Sequence, residues 1–239
     1  MTTASTTPGL IRWIGYFAIT LLVLIPLGIL ITRSGAWQQG MLVYALACLG
    51  SLILFALLLI LLLLPRFAAW RKAILGRALL VLPGTLLVAS VLAGRGDYPP
   101  IHNITTDTAD PPVFVAAQQQ RGEGANPLEL TPETIAKQKA GYPDLQTLRS
   151  TLSYDAAFDR ALQVADDMGW DIYHQDRNAG TIEAVSATAV MAFKDDVVIR
   201  VRTNAEGTVI DLRSVSRVGV GDIGANAKRI REFQQRFAQ

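Results

Sequence analysis

The sequence predicts a membrane-anchored α+β protein: three transmembrane helices, then a small antiparallel four-stranded sheet with two helices packed on one face. Three observations predict it. Residues 1–96 hold no Asp or Glu, only seven Lys/Arg, and three long apolar runs. Residues 97–239 hold all 20 acids and the other 15 bases. Within that second part, apolar residues recur at helical spacing near both ends of 151–239 and alternate in between. The formal charge of +2 therefore conceals a cationic membrane part and an anionic water-facing part.

A hydrocarbon core about 30 Å thick is crossed by about 20 apolar residues in helix. Spans are expected at about 13–32, 41–64 and 70–94, within a membrane region 1–96. In the third, Arg71, Lys72 and Arg77 lie near the start, where long basic side chains reach back to the interface. Pro26, Pro83 and Gly84 fall inside runs, which lipid tolerates better than water does. Trp13, Tyr16, Trp37 and Trp70 fall near run ends, where amphipathic rings favour the interface. The first run is too long for the apolar part of a signal peptide, so a retained anchor is expected. Between the second run and the uncharged part of the third, Ala78 to Gly94, lie Arg66, Arg71, Lys72 and Arg77; between the first and second lies Arg33 alone. Basic short loops stay in the cytoplasm. The expectation is a multi-pass protein of the bacterial inner membrane, N-terminus cytoplasmic and C-terminal domain periplasmic. Cys48, the single cysteine, lies in the second run, so the exported domain is expected to hold together without an internal disulfide.

Residues 97–150 read as an extended Pro/Gly-rich linker partly packed on the domain. Pro99-Pro100, Pro111-Pro112, Gly122, Gly124 and Pro127 disfavour regular structure. One short helix is expected over Pro132 to Lys139, with Thr131 as N-cap and Pro at its first position. Ile101, Ile104, Val113, Phe114, Leu128 and Leu130 give the linker apolar residues to bury.

The soluble α+β domain is expected over 151–239. Ser153 caps a helix with the stripe Ala157, Phe158, Ala161, Leu162, Ala165 and Met168, stopped at Gly169. Strands follow at Trp170 to Gln175 and Thr181 to Ala187, joined by the turn-forming residues Asp176 to Gly180. In the third strand, Phe193 to Thr203, Phe193, Val197, Ile199 and Val201 take one face; Lys194, Asp196, Val198, Arg200 and Arg202 take the other. A turn at Asn204 to Gly207 leads to Thr208 to Ser216. There Ile210, Leu212, Ser214 and Ser216 oppose Asp211, Arg213 and Arg217. A last helix is expected from Ile223, with the stripe Ile223, Ala227, Ile230, Phe233 and Phe237. Short turns favour an antiparallel meander whose apolar face the two helices cover. Its charged face is expected to stay open.

The stretch Phe193-Lys194-Asp195-Asp196-Val197-Val198-Ile199-Arg200-Val201-Arg202 is followed by Asp211-Leu212-Arg213-Ser214-Val215-Ser216-Arg217-Val218-Gly219 and Asp222-Ile223-Gly224-Ala225-Asn226. Together with Pro100 to Asp107 upstream and Met168-Gly169-Trp170, it resembles the family known as domain of unknown function 1499. The resemblance covers Tyr98 to the C-terminus. It implies a family of bacteria and plant plastids in which some members carry membrane spans before the domain. It implies no activity, cofactor or substrate.

Gly219-Val220-Gly221-Asp222-Ile223-Gly224 matches G-x-G-x-x-G between a strand and a helix, but no second parallel strand accompanies it. A tight strand-to-helix turn with Asp222 as N-cap is the simpler reading. Glycine turns and helix starts nevertheless expose N–H groups to anions. Gly219, Gly221, Asp222, Gly224 and Asn226, with Arg200, Arg213 and Arg217, therefore form a candidate anion site for a carboxylate, phosphate or sulfated sugar. The competing reading is an Arg–Asp ladder with Asp195, Asp196, Asp211 and Asp222. His102 and Asp107 are an acid–base candidate, against a turn-stabilising hydrogen bond. No His, Cys or carboxylate spacing suits a metal, so neither metal nor cofactor is expected. The domain's net negative charge and predicted export disfavour nucleic acid. The expected partners are the lipid bilayer and an envelope protein or anionic envelope ligand. The expected function is a non-enzymatic binding or interaction module; the alternative is a membrane-surface enzyme using His102, Asp107 and the sheet arginines.

Overall fold

Three helices follow the apolar runs: α1 (Gly9–Arg33), α2 (Trp37–Leu63) and α3 (Arg71–Ala93), with a 3₁₀ turn at Pro65–Trp70 before the last. The computed structural model describes residues 8–94, 96, 98–205 and 207–239. Glu206, part of the turn expected at 204–207, and Asp97, at the expected linker start, lie outside the described residues. The chain divides into two units, Met1–Arg95 and Gly96–Gln239.

In the first unit each of three helical stretches is long and apolar enough to cross a membrane. Pro26 and Pro83 lie inside α1 and α3 without ending them. Ile11, Ile14, Ala18 and Leu21 of α1 share one buried cluster with Leu54, Leu58 and Leu61 of α2 and Ile74, Ala78 and Val81 of α3. Lipid offers no hydrophobic drive between helices, so close approach through small residues matters. A Cβ on Gly40 would fall 2.3 Å from Thr32 Oγ1, and one on Gly84 2.5 Å from Ser51 Oγ, so neither position has room for a side chain. Arg77 keeps its charge on carbonyls: Nε donates to Ile11 O and Nη1 to Ala73 O, both at 2.6 Å.

The second unit is built on one antiparallel sheet. Its strands are β1 (Asn103–Thr105), β2 (Leu148–Ser150), β3 (Asp171–Asp176), β4 (Thr181–Ala187), β5 (Lys194–Asn204) and β6 (Gly207–Ser216). The order is β1-β6-β5-β4-β3, and β2 also pairs with β6. β1 lies against Arg213 to Val215 and β2 against Thr208 to Ile210, so the outer position is shared end to end by two short strands. The sheet thus has six strands, not the four expected; both additions come from the linker. That linker also holds a short α4 (Ala117–Gln120) and α5 (Pro132–Gly141). The Thr131 hydroxyl accepts the Thr134 amide as the N-cap of α5.

Two helices cover one face, α6 (Tyr154–Asp167) and α7 (Ala225–Phe237). The Ser153 hydroxyl caps α6 by accepting the Ala156 amide. Phe158, Ala161 and Val164 of α6 and Ile230 and Phe233 of α7 are buried with Val197, Ile199, Ile210 and Leu212 of the sheet. Trp170 stacks on Phe233 with ring centroids 5.6 Å apart. The start of α7 differs from expectation. Gly224 at φ 78° precedes the helix, and Ile223, at φ 52° and 72 % exposed, lies outside the apolar stripe. The opposite, charged face is not open either: Asp196 and Asp211 have no exposed surface.

Candidate functional site

Burying a carboxylate is costly unless donors meet it. Three carboxylates of the sheet, Glu183, Asp196 and Asp211, are fully buried, and residues 105–147 bring many of their donors. Asp211 Oδ1 accepts from Thr106 at 3.1 Å and Thr147 at 2.5 Å. Its Oδ2 accepts from Arg202 at 2.8 Å and Arg200 at 3.2 Å. Arg200 also reaches Asp107 Oδ2 at 3.3 Å and Asp110 Oδ2 at 3.1 Å, and Arg202 reaches them at 3.2 and 2.8 Å. Glu183 accepts the amides of Val115 at 2.5 Å, Ala116 at 3.0 Å and Ala117 at 2.8 Å, and the Tyr173 hydroxyl at 3.2 Å. Asp196 takes Arg217 and, from the linker, Arg121.

Arg213 differs from these. Its Nε donates to Asn103 Oδ1 at 3.0 Å, its Nη1 to Pro112 O at 3.2 Å and its Nη2 to Leu128 O. The Phe114 ring lies 5.4 Å from its guanidinium carbon. Among the described residues no carboxylate pairs with it. Burial, and then the charge of Arg121, push its pKa down to about 10. Asp107 is lowered too, but by its partners and against its burial. Burial raises it, but the amides of Asp110 and Ala109, the charge of Arg200 and the hydrogen bond from Arg202 outweigh that and hold it below the ordinary carboxylate range. Burial raises Tyr173, and Asp196 and Glu183 add to the rise.

A second polar layer lies on the helix-covered face. Asp195 accepts from Arg229 Nη2 at 2.5 Å, and Arg229 Nη1 reaches Ser214 Oγ at 3.0 Å. Ser214 Oγ donates to Asn226 Oδ1 at 2.6 Å. Asn226 Nδ2 donates to Ser216 Oγ at 2.9 Å and His102 O at 3.2 Å. These bonds tie α7 to β5, β6 and the residue before β1.

The arginines of the anion reading share a sheet face but separate partners: Arg200 has Asp107, Asp110 and Asp211; Arg213 has carbonyls; Arg217 has Asp196. In the turn, Asp222 Oδ1 accepts the Gly224 amide at 2.9 Å and Oδ2 the Asn226 amide at 2.7 Å. Amides that would greet an anion are thereby used. Burial, then these bonds in the opposite sense, leave Asp222 above its ordinary pKa. Gly219 O accepts from Asn126 Nδ2 at 2.8 Å, and Gly221 lies against Pro100. His102 Nδ1 lies 3.4 Å from Val220 O, and no bond joins it to Asp107 among the described residues. Reading the sequence missed Arg121, Glu183, Asn103 and Arg229. Glu183 carried a signal, a lone acid between the apolar Ile182 and Ala184.

The structure is that of a protein with three helices long and apolar enough to cross a membrane and a separate α+β domain. The family model described as "Protein of unknown function (DUF1499)" matches residues 103–237, from the first residue of β1 to the last of α7; the chain belongs to that family. No curated protein matches it.

Proposed function

We propose that this is a bacterial inner-membrane protein whose α+β domain lies in the periplasm and binds an envelope partner without catalysing a reaction. Arg66, Arg71, Lys72 and Arg77 near the turn between α2 and α3 favour a cytoplasmic position for it, against Arg33 alone after α1. Three crossings then carry the domain outward. A protease added to intact spheroplasts should remove a tag placed after Gln239. A spared tag, with an exported control cut, overturns the orientation.

One observation carries the binding reading. The sheet ends at β3, which among the described residues pairs only with β4. Its outer edge offers backbone N–H and C=O groups that an extended segment of another protein can complete. Ile172, Tyr173, His174 and Gln175 line a shallow depression there. The charged face has less to offer, since its arginines are held by the chain's own acids and carbonyls. An anionic envelope ligand would have to displace Asp196 from Arg217, or Asp107 from Arg200. A photo-crosslinker at Gln175 in cells should give a discrete adduct with a second protein that the same group at exposed Lys139 does not give. Equal labelling at both positions overturns the reading.

A further inference from the structure

The turn between β6 and α7 is held tightly yet shows apolar side chains to solvent. Val220 is 80 % exposed and Ile223 72 %. Such exposure in a mobile loop would mean little, but this backbone is pinned at several points. Asn126 donates to Gly219 O, and His102 Nδ1 approaches Val220 O. Asp222 takes the amides of Gly224 and Asn226. Its one acid is thus turned inward, and the tip is left apolar.

Ile223 also sits at φ 52°. A β-branched residue there is strained, and such strain persists only where the surroundings over-determine it. Here it turns the aliphatic group outward.

The tip is tied to the chain that has just left the third span. A Cβ on Gly224 would fall 2.7 Å from the Tyr98 ring, and one on Gly221 3.2 Å from Pro100 Cα. Tyr98 is 45 % exposed beside Gly224, so Tyr98, Val220 and Ile223 are exposed apolar side chains around one turn. Gly94 closes α3, and Tyr98 lies only four residues beyond it. Four residues reach no further than about 14 Å. The headgroup layer on each side of the hydrocarbon is about 5–8 Å deep. A connection this short lets Tyr98, and the tip packed on it, reach the lipid interface. Tyrosine is a favoured residue at that depth.

We propose that Tyr98, Val220 and Ile223 form a lipid-docking patch that inserts into the headgroup–acyl boundary of the bilayer the chain itself spans. The insertion is shallow and adds apolar burial to a domain already tethered. It requires the spans, but neither the direction of the domain nor the partner proposed for β3, so it stands or falls separately from them.

The test uses the full chain with Cys48→Ser, reconstituted in phosphatidylcholine–phosphatidylglycerol vesicles. A nitrobenzoxadiazole label is placed at Ile223→Cys, at Val220→Cys and, as a control, at Asn178→Cys in the turn after β3. Labels at 223 and 220 should show blue-shifted emission, loss by quenchers attached high on the acyl chain, and protection from iodide. The label at 178 should show the reverse. Iodide access at 223 and 220 equal to that at 178 overturns the proposal. So does protection from iodide without lipid quenching, which would mean that protein covers the patch. All three positions are solvent-facing, and unchanged melting of the labelled proteins confirms that the fold is retained.

Discussion

Arg217 grips Asp196 with two bonds, Nε to Oδ2 at 3.0 Å and Nη2 to Oδ1 at 2.7 Å, and Arg121 from the linker binds the same carboxylate. Two cations of distant origin thus share one acid with no exposed surface. Asp196→Asn leaves both guanidinium groups short of a counter-charge. Breaking such a buried set costs about 3–5 kcal/mol. The melting temperature of the detergent-solubilised protein should fall accordingly for the transition of the α+β domain. An unchanged transition would show that the pairing contributes nothing.

Arg213 joins β6 to Asn103, Pro112 and Leu128 at once. Arg213→Met strips donors from three acceptors, a loss of about 1–3 kcal/mol. Arg213→Lys should recover only part of it, because a compact ammonium lacks the planar fork. Limited proteolysis reads the effect locally. Cleavage within 113–128 should become faster in both variants, and faster in Arg213→Met.

Asp107 gives the acid limb of stability its sign. Its folded pKa lies below the ordinary carboxylate value, through the amides and arginines that outweigh its burial. Its contribution is therefore fully present above the unfolded pKa and is lost as pH falls through the depressed folded value. Asp107→Asn should lower stability at neutral pH by about 1 kcal/mol and flatten the acid limb. Denaturation curves collected at several pH values decide this; a limb as steep as in the parent protein contradicts it.

Two positive-φ positions predict opposite outcomes. Gly180 has φ 69°, and a Cβ there would fall 2.1 Å from Val201 O. Gly180→Ala should destabilise by more than about 1 kcal/mol, since both strain and clash apply. At Ile223 the side chain already bears the strain, and Ile223→Gly should relieve about 1 kcal/mol of it. The same substitution should weaken lipid quenching at a label on residue 220. Greater stability with weaker lipid contact is the expected signature of strain kept for function.

The central strands and α6 could be read from periodicity alone. Val197, Ile199 and Val201 recur at every second position of a strand long enough to show a period of two. Ser153 announced its helix by chemistry. β1 and β2 have three residues each, too few to display any period, and their pairing with β6 spans distant sequence. The charged face posed a different difficulty. A strand face bearing Asp196, Arg200 and Asp211 looks alike whether water or a linker with Asp107, Asp110 and Arg121 lies over it. The co-facing arginines were visible, but their partners were not. Ile223 fell on the spacing of the α7 stripe, and Gly224 at φ 78° displaced it.

Because β6 receives Asn103 and Leu148 on the same edge, the stretch beside the last membrane helix is completed by residues synthesised more than a hundred positions later. Until β6 emerges, β1 and β2 have no strand to pair with, and Thr106 and Thr147 lack Asp211. Nascent chains halted before Val209 should consequently leave the juxtamembrane third open to quality-control proteases, and one late strand decides whether the early part of the domain survives biogenesis.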